Sequence, residues 1–259
     1  VKDVQSALAQ KSLQDLIELS NRLGETGEFA ILGEGNTSAK MDADRFYVKV
    51  SGTQLLGATE ESFVPVDRKK ILAMLDQDSL SDEEIAAGLL DAVADSSGRK
   101  PSVETMFHAY LLSLPQVNFV AHTHPTMVNM ILCSTRAQEL VRGRLFPDEI
   151  VCCGPEPVFI HYEDPGHILA RKIMEGCEEY MKKWKVAPKS ILMQNHGLVA
   201  LGKTAAQVQA TTQMWHKTAH ILVGATLLGG ANYLSEDNVR RISTRLDEKE
   251  REKAIFGDG

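Results

Sequence analysis

The six residues VAHTHP, Val120 to Pro125, constrain this chain more than any other segment. The run VNFVAH, Val117 to His122, reads as a strand. Alternate side chains of an extended strand share a face, so His122 and His124 point the same way. Pro125 has no backbone N–H and closes the strand. The pair therefore sits at a strand end, where open α/β sheets place their ligands. A third histidine, His196, lies in QNHGLVALG between two strand-like runs, and Gly197 beside it permits a tight turn. Three neutral imidazoles are a familiar set for a divalent metal with positions left for water or substrate. The spacing alone suits histidines that merely satisfy hydrogen bonds in a core better than a metal set, and by itself it leaves both readings open.

Other titratable pairs compete. His216 and His220, in WHKTAH, are one helical turn apart but lack the glutamate of the H-E-x-x-H motif, so they read as packing or surface residues. Glu104 and His108 are also one turn apart, in PSVETMFHAYLLSL. A carboxylate in a first helical turn is favoured by the dipole, which is reason enough for Glu104 without any chemistry. His161 and His167 carry no partner signature.

The pattern along the chain alternates helix and strand. Helices are predicted at about 12–23, where Ser12 and Asp15 suit a capping box, and at 67–75 with Asp67 as cap. Others are predicted at 81–94, where Ser81 and Glu84 form a second box, and at 101–114, 125–133, 165–183, 204–228 and 236–246. Strands are predicted at 45–50, 117–122, 149–153, 158–160, 190–194 and 198–202. GEGNTSAK, Gly33 to Lys40, reads as a glycine-bearing loop and SGTQ, Ser51 to Gln54, as a turn. Mixed elements with a late hairpin predict a three-layer α/β/α architecture. No repeat or linker divides the chain, so residues 1–259 read as one domain.

Composition bounds the function classes. A net charge of -7 opposes nucleic-acid binding, which needs clustered Lys and Arg. The charge run DEKEREK, Asp247 to Lys253, alternates in sign and reads as a solvated helix or tail. The four cysteines, Cys133, Cys152, Cys153 and Cys177, form no C-x-x-C pair and fit the buried thiols of a reducing cytosol. No run approaches the roughly 20 apolar residues of a membrane span, and VKDVQSALAQ lacks the basic-then-apolar order of a secretory signal. The expected location is the cytoplasm.

Five motifs occur in a fixed order: GNTS at Gly35 to Ser38, SGT at Ser51 to Thr53, PSVE at Pro101 to Glu104, HTH at 122 to 124, and NHGLVALG at Asn195 to Gly202. In these the chain, from about Leu13 to Tyr233, resembles the class II aldolase/adducin N-terminal family. Its members include L-fuculose-phosphate and L-rhamnulose-phosphate aldolases, L-ribulose-5-phosphate 4-epimerase, sugar-acid decarboxylases and the non-catalytic adducin head. The resemblance implies an α/β/α sandwich around a mainly antiparallel sheet, assembled as a homotetramer. It implies that His122, His124 and His196 hold one divalent metal, usually Zn2+. It gives Glu104 the acid/base role, and it has Gly35, Asn36, Ser51, Gly52 and Ser102 hold the phosphate or anionic end of a sugar or sugar phosphate. The implied activity is that of a class II aldolase cleaving a small ketose or ketose phosphate through a metal-stabilised enediolate; the alternatives are an epimerase or decarboxylase, and an adducin-like binding module. Glu at 104 favours aldol cleavage, since epimerase-like members tend to carry Asp there, and the intact histidine set argues against the binding module. Two departures bear on the substrate. Val103 stands where sugar-phosphate members often have a second serine, removing one hydroxyl from the clamp. Tyr233 is a candidate for the aromatic residue that handles the aldehyde in some aldolases, or else a capping or interface tyrosine.

Overall fold

The computed structural model describes residues 2–256. In chain order the elements are α1 (Lys2–Gly24), β1 (Asn36–Lys40), β2 (Arg45–Lys49), β3 (Phe63–Asp67), α2 (Arg68–Leu75), α3 (Asp82–Asp91), α4 (Thr105–Leu111), β4 (Phe119–Thr123), α5 (Thr126–Leu132), α6 (Ala137–Val141), α7 (Pro147–Cys153), β5 (Val158–Ile160), α8 (His167–Trp184), β6 (Ser190–Met193), β7 (Gly197–Gly202), α9 (Ala205–Leu227), α10 (Glu236–Thr244) and α11 (Leu246–Phe256). The strands form one sheet in the order β3-β2-β1-β4-β7-β6-β5. Every pairing is antiparallel except β5 with β6. The architecture is α/β with a mostly antiparallel sheet, as the resemblance implied.

Strand periodicity divides the core into layers. Phe46, Val48, Val120, Ile191, Met193, Val199 and Leu201 face one way and pack with α2, α3, α4 and α8. Ala39, Phe119, Ala121 and Ala200 face the other way, toward α1. On that same side Leu192 and Leu198 meet α5, α7 and α9. Residues from both faces are fully buried, so the sheet is a closed middle layer.

The caps read from sequence at Asp67 and Ser81 are present, and Thr204 adds one that was not read; each side-chain oxygen accepts backbone N–H groups of the following helix. Others need correction. Residues 149–153 form a helix, not a strand: Pro147 stands in its first turn, where the missing N–H costs nothing. An apolar run that short is ambiguous by periodicity. The first helix starts at Lys2, so Ser12 is no cap; its hydroxyl instead donates to the carbonyl of Lys40. The segment read as a loop, 36–40, is a central strand. The strand at 63–67 carries no prediction; its Pro65 is tolerated because β3 is at the sheet edge. The predicted 101–114 helix is shorter, beginning only after Glu104. The alternating charge run lies in α11. No helix among the described residues is long and apolar enough to cross a membrane.

Candidate metal centre

β4 runs between β1 and β7, and its last residues bring the site together. His122 stands opposite Asn36 of β1 and Val199 of β7. His124 follows one residue beyond the strand, its N–H donating to the carbonyl of Phe29. His196 occupies the turn between β6 and β7. That turn is clamped from α5: Asn195 N–H donates to the Leu132 carbonyl, and the Asn129 amide donates to the His196 carbonyl at 3.1 Å.

Gly197 serves a purpose other than the tight turn expected. The positive φ there belongs to Asn195, at 54°. A Cβ on Gly197 would lie 2.5 Å from the Thr123 carbonyl oxygen, 2.8 Å from His124 Cδ2 and 3.1 Å from His122 Cε1. The missing side chain is what leaves room for the His122 and His124 rings beside the turn that carries His196. Gly35, at φ 67°, passes equally close to β4, 2.6 Å from the His122 carbonyl oxygen to an added Cβ.

The three rings converge. One nitrogen from each lies within 4.8 Å of the others, and His122 Nε2 and His124 Nε2 are 3.0 Å apart. Two nitrogens sharing a tetrahedral ion at about 2.0–2.1 Å would be about 3.3 Å apart, so little movement separates the observed spacing from ligation. The Leu198 carbonyl takes the Nδ1–H of His122 at 3.1 Å, which leaves the Nε2 lone pair facing the centre. Burial, aided by His124 and His196 against the pull of Glu104, pushes His122 down to about 3. Burial also lowers His124, with His196 adding to the effect and Glu34 opposing it. Both rings are neutral donors near pH 7, the form a metal requires. The donor set, the His122 tautomer and the spacing fit a divalent ion.

Glu104 faces this cluster. Its Oε1 is 3.2 Å from His196 Nε2 and 3.6 Å from His122 Nε2. It is the N-cap residue of α4, yet its side chain makes no cap bond, so the dipole explanation open at the sequence level does not account for its orientation. The neighbouring Ser102 hydroxyl accepts the Glu104 N–H at 3.3 Å instead. Burial favours the neutral acid at Glu104, but His122 and His196 on one oxygen and the Asn36 amide on the other hold the carboxyl well below the ordinary carboxylate range.

A buried relay backs that carboxylate; the sequence showed Glu104 and His108 one helical turn apart, with His108 open as a core or supporting residue, but not the link through Asn36 and Ser38. The Asn36 carbonyl can only accept, so His108 Nε2–H donates to it. His108 Nδ1 then accepts from the Ser38 hydroxyl at 2.6 Å. The Asn36 amide, its orientation thereby set, donates to Glu104 Oε2 at 2.5 Å. His108 is fully buried and stacks on Phe107; burial lowers it to about 4, with Glu104 opposing. Lys49, only 2% exposed, was also missed. Its ammonium donates to the Thr53 carbonyl in the SGT turn, and burial lowers it against the opposing charge of Glu104.

The other expected residues gather at the same end of the sheet. The Ser51 N–H donates to the Lys100 carbonyl, and Val50 bridges Pro101, which places the 51–52 turn beside Ser102. Gly52 has φ 81° with open space around it. Tyr233 is elsewhere engaged. Its hydroxyl donates to the Leu140 carbonyl at 2.9 Å and its ring lies where a Cβ on Gly143 would be. His216 meets Phe29 edge to face, and His161 bonds Gln194, so neither joins the cluster.

Comparison with known proteins gives a consistent picture. Residues 14–223 match the profile of the Class II Aldolase and Adducin N-terminal domain family. The chain is 29% identical over 208 residues to the uncharacterized oxidoreductase YuxG of Bacillus subtilis (strain 168), covering 77% of this chain and 28% of that protein. It thus spans under a third of that relative's length. It is 24% identical over 221 residues to methylthioribulose-1-phosphate dehydratase of the same organism, covering 81% of this chain and 90% of the other. Among solved structures, L-fuculose 1-phosphate aldolase superposes with a TM-score of 0.68 at 17% identity, covering 93% and 96% of the two chains. The N-terminal class II aldolase domain of a conserved protein from Thermoplasma acidophilum gives 0.65 at 24% identity, covering 82% and 93%.

Proposed function

Because this chain belongs to the class II aldolase and adducin N-terminal domain family, we propose that it is a divalent-metal-dependent aldehyde-lyase that cleaves a small ketose or ketose phosphate. The observation that carries the reading is the placement of one buried carboxylate, Glu104, 3.2 and 3.6 Å from two rings of a convergent three-histidine group. His122, His124 and His196 would hold the ion, with Zn2+ favoured by an all-imidazole set. When bound, the ion supplies Lewis-acid polarisation of the substrate's oxygen atoms.

The chain's own residues do the rest. Glu104 exchanges a proton at the substrate carbon next to the carbonyl: as the carboxylate it takes that proton in the addition direction, and in cleavage its protonated form returns it. Asn36, oriented by His108, keeps one Glu104 oxygen engaged so that the other faces the substrate. Gly35, Asn36, Ser51, Gly52 and Ser102 line the end that holds the anionic or hydroxyl-rich part of the sugar, and the buried Lys49 ammonium adds positive charge behind the SGT turn. Val103 is half-buried beside the apolar core, so a single hydroxyl, that of Ser102, is available at that step of the loop.

A second reading, elimination of water from a ketose phosphate, draws on the similarity to methylthioribulose-1-phosphate dehydratase over most of both chains. Elimination begins, and cleavage ends, with a proton exchanged at the carbon beside the carbonyl, so the two share that step and product analysis separates them. Purified protein, first assayed for about one divalent ion per chain, is incubated with phosphorylated and unphosphorylated ketoses. An aldehyde plus a shorter ketone supports the lyase, a product lighter by one water supports elimination, and stereoisomers without fragments support an epimerase. A metal-free protein indifferent to chelators would sink all three. Glu104→Gln is expected to keep the ion and lose about 10²–10⁴-fold in kcat.

A further inference from the structure

The three histidines are not supported alike. His122 has the Leu198 carbonyl for its Nδ1–H. Among the described residues no backbone carbonyl meets the His124 ring, and its Nδ1 faces a carboxylate instead: Glu34 Oε1, at 3.6 Å. Glu34 lies in the loop before β1 and belongs to none of the five motifs' chemistry-bearing positions. It is nonetheless held. Its N–H donates to the Ile31 carbonyl at 3.0 Å, and its other oxygen, Oε2, accepts the Ile31 N–H at 3.0 Å. The turn so closed carries Leu32 at φ 52°, an unfavourable value for a branched side chain that persists only where its surroundings require it. Ile31 and Leu32 are 53% and 75% exposed, so no apolar burial accounts for the turn. What the turn does is aim one carboxylate oxygen at His124.

We propose that Glu34 is the positioning residue of His124: it takes the Nδ1–H, closing from 3.6 Å to about 2.8 Å as charged hydrogen bonds do, and so commits the Nε2 lone pair to the centre shared with His122 and His196. An imidazole with no partner on Nδ1 divides between two tautomers, one of which points an N–H at the ion. Fixing the tautomer through an acceptor on the far nitrogen raises affinity without touching the ion. The site then has two carboxylates with separate duties: Glu104 faces the ring nitrogens directly, and Glu34 acts only through His124. This inference rests on reading the three histidines as a metal centre.

The test compares the wild type with Glu34→Asp and Glu34→Ala. Asp keeps a carboxylate in the turn but is one methylene short of the ring; Ala removes both contacts. Ring 15N shifts of metal-free protein at pH 7.5 read the His124 tautomer, and chelator competition reads Zn2+ affinity. The expected wild-type tautomer is Nδ1–H, with both variants shifted toward a mixture and binding Zn2+ about 10–100-fold more weakly. Either an unchanged tautomer in both variants, or affinity within about threefold of wild type, overturns the role of Glu34. If the wild type itself binds no Zn2+, the metal reading fails, and the tautomer comparison alone still decides Glu34.

Discussion

Gly197→Ala is the sharpest perturbation the site offers. The added Cβ would sit 2.5 Å from the Thr123 carbonyl oxygen, whereas ordinary contact begins at 3.4 Å, so the two must separate by about 0.9 Å. Thr123 is backbone of β4 and cannot rotate away. The opening falls at the end of the β4–β7 ladder, where Thr123 faces Leu198, the residue whose carbonyl orients His122. Overpacking costs about 1–3 kcal/mol, and losing the His122 hydrogen bond adds about 1 kcal/mol. For a chain this size, a total of about 2–4 kcal/mol lowers Tm by about 5–15 °C. The assay is a thermal melt with and without Zn2+. Bound ion raises Tm according to its affinity, so the metal-dependent rise reports the centre separately from the fold. Wild type should show a clear rise, and Gly197→Ala should show both a lower Tm and a diminished rise. Gly224→Ala is the control: it lies inside α9 with open space around it and should stabilise by about 0.5–1 kcal/mol without affecting the metal response. A Gly197→Ala protein melting within about 1 °C of wild type, with an equal response to Zn2+, would refute the close-approach explanation.

Two further perturbations probe the surroundings. His108 goes from an unfolded value of 6.5 to about 4 in the native state, so below pH 6.5 the unfolded chain takes up a proton that the folded one refuses. Its contribution is fully present above pH 6.5 and drains as pH falls toward 4, by about 3 kcal/mol. His108→Gln should therefore flatten stability against pH over that window in urea melts, and parallel curves would contradict the buried neutral ring. Tyr233→Phe removes a hydroxyl bonded to the Leu140 carbonyl and should cost about 0.5–1.5 kcal/mol while leaving kcat/KM within about twofold. A large loss of activity at unchanged KM would restore Tyr233 to the chemistry.

Local rules carried part of this structure in the order of residues alone. His122 and His124 share a face because strands repeat every two residues. Asp67 and Ser81 cap helices because a side-chain oxygen can reach N–H groups two or three residues on. Such signals span a few positions and need no partner elsewhere. The tertiary structure decided the rest. β1 was unreadable as a strand because Asn36 and Ser38 are polar yet face inward, and only the register with β4 and the neighbouring α4 supplies the groups that satisfy them. Polar residues at buried positions break the hydrophobic pattern where a site is built. Lys49 and Glu34 stayed hidden for the same reason, since each takes its meaning from a contact the fold creates. His196 is 72 residues beyond His124, and nothing between them in sequence states that they meet. That is settled by β4 pairing with β7, and by a glycine at 197 that leaves the room.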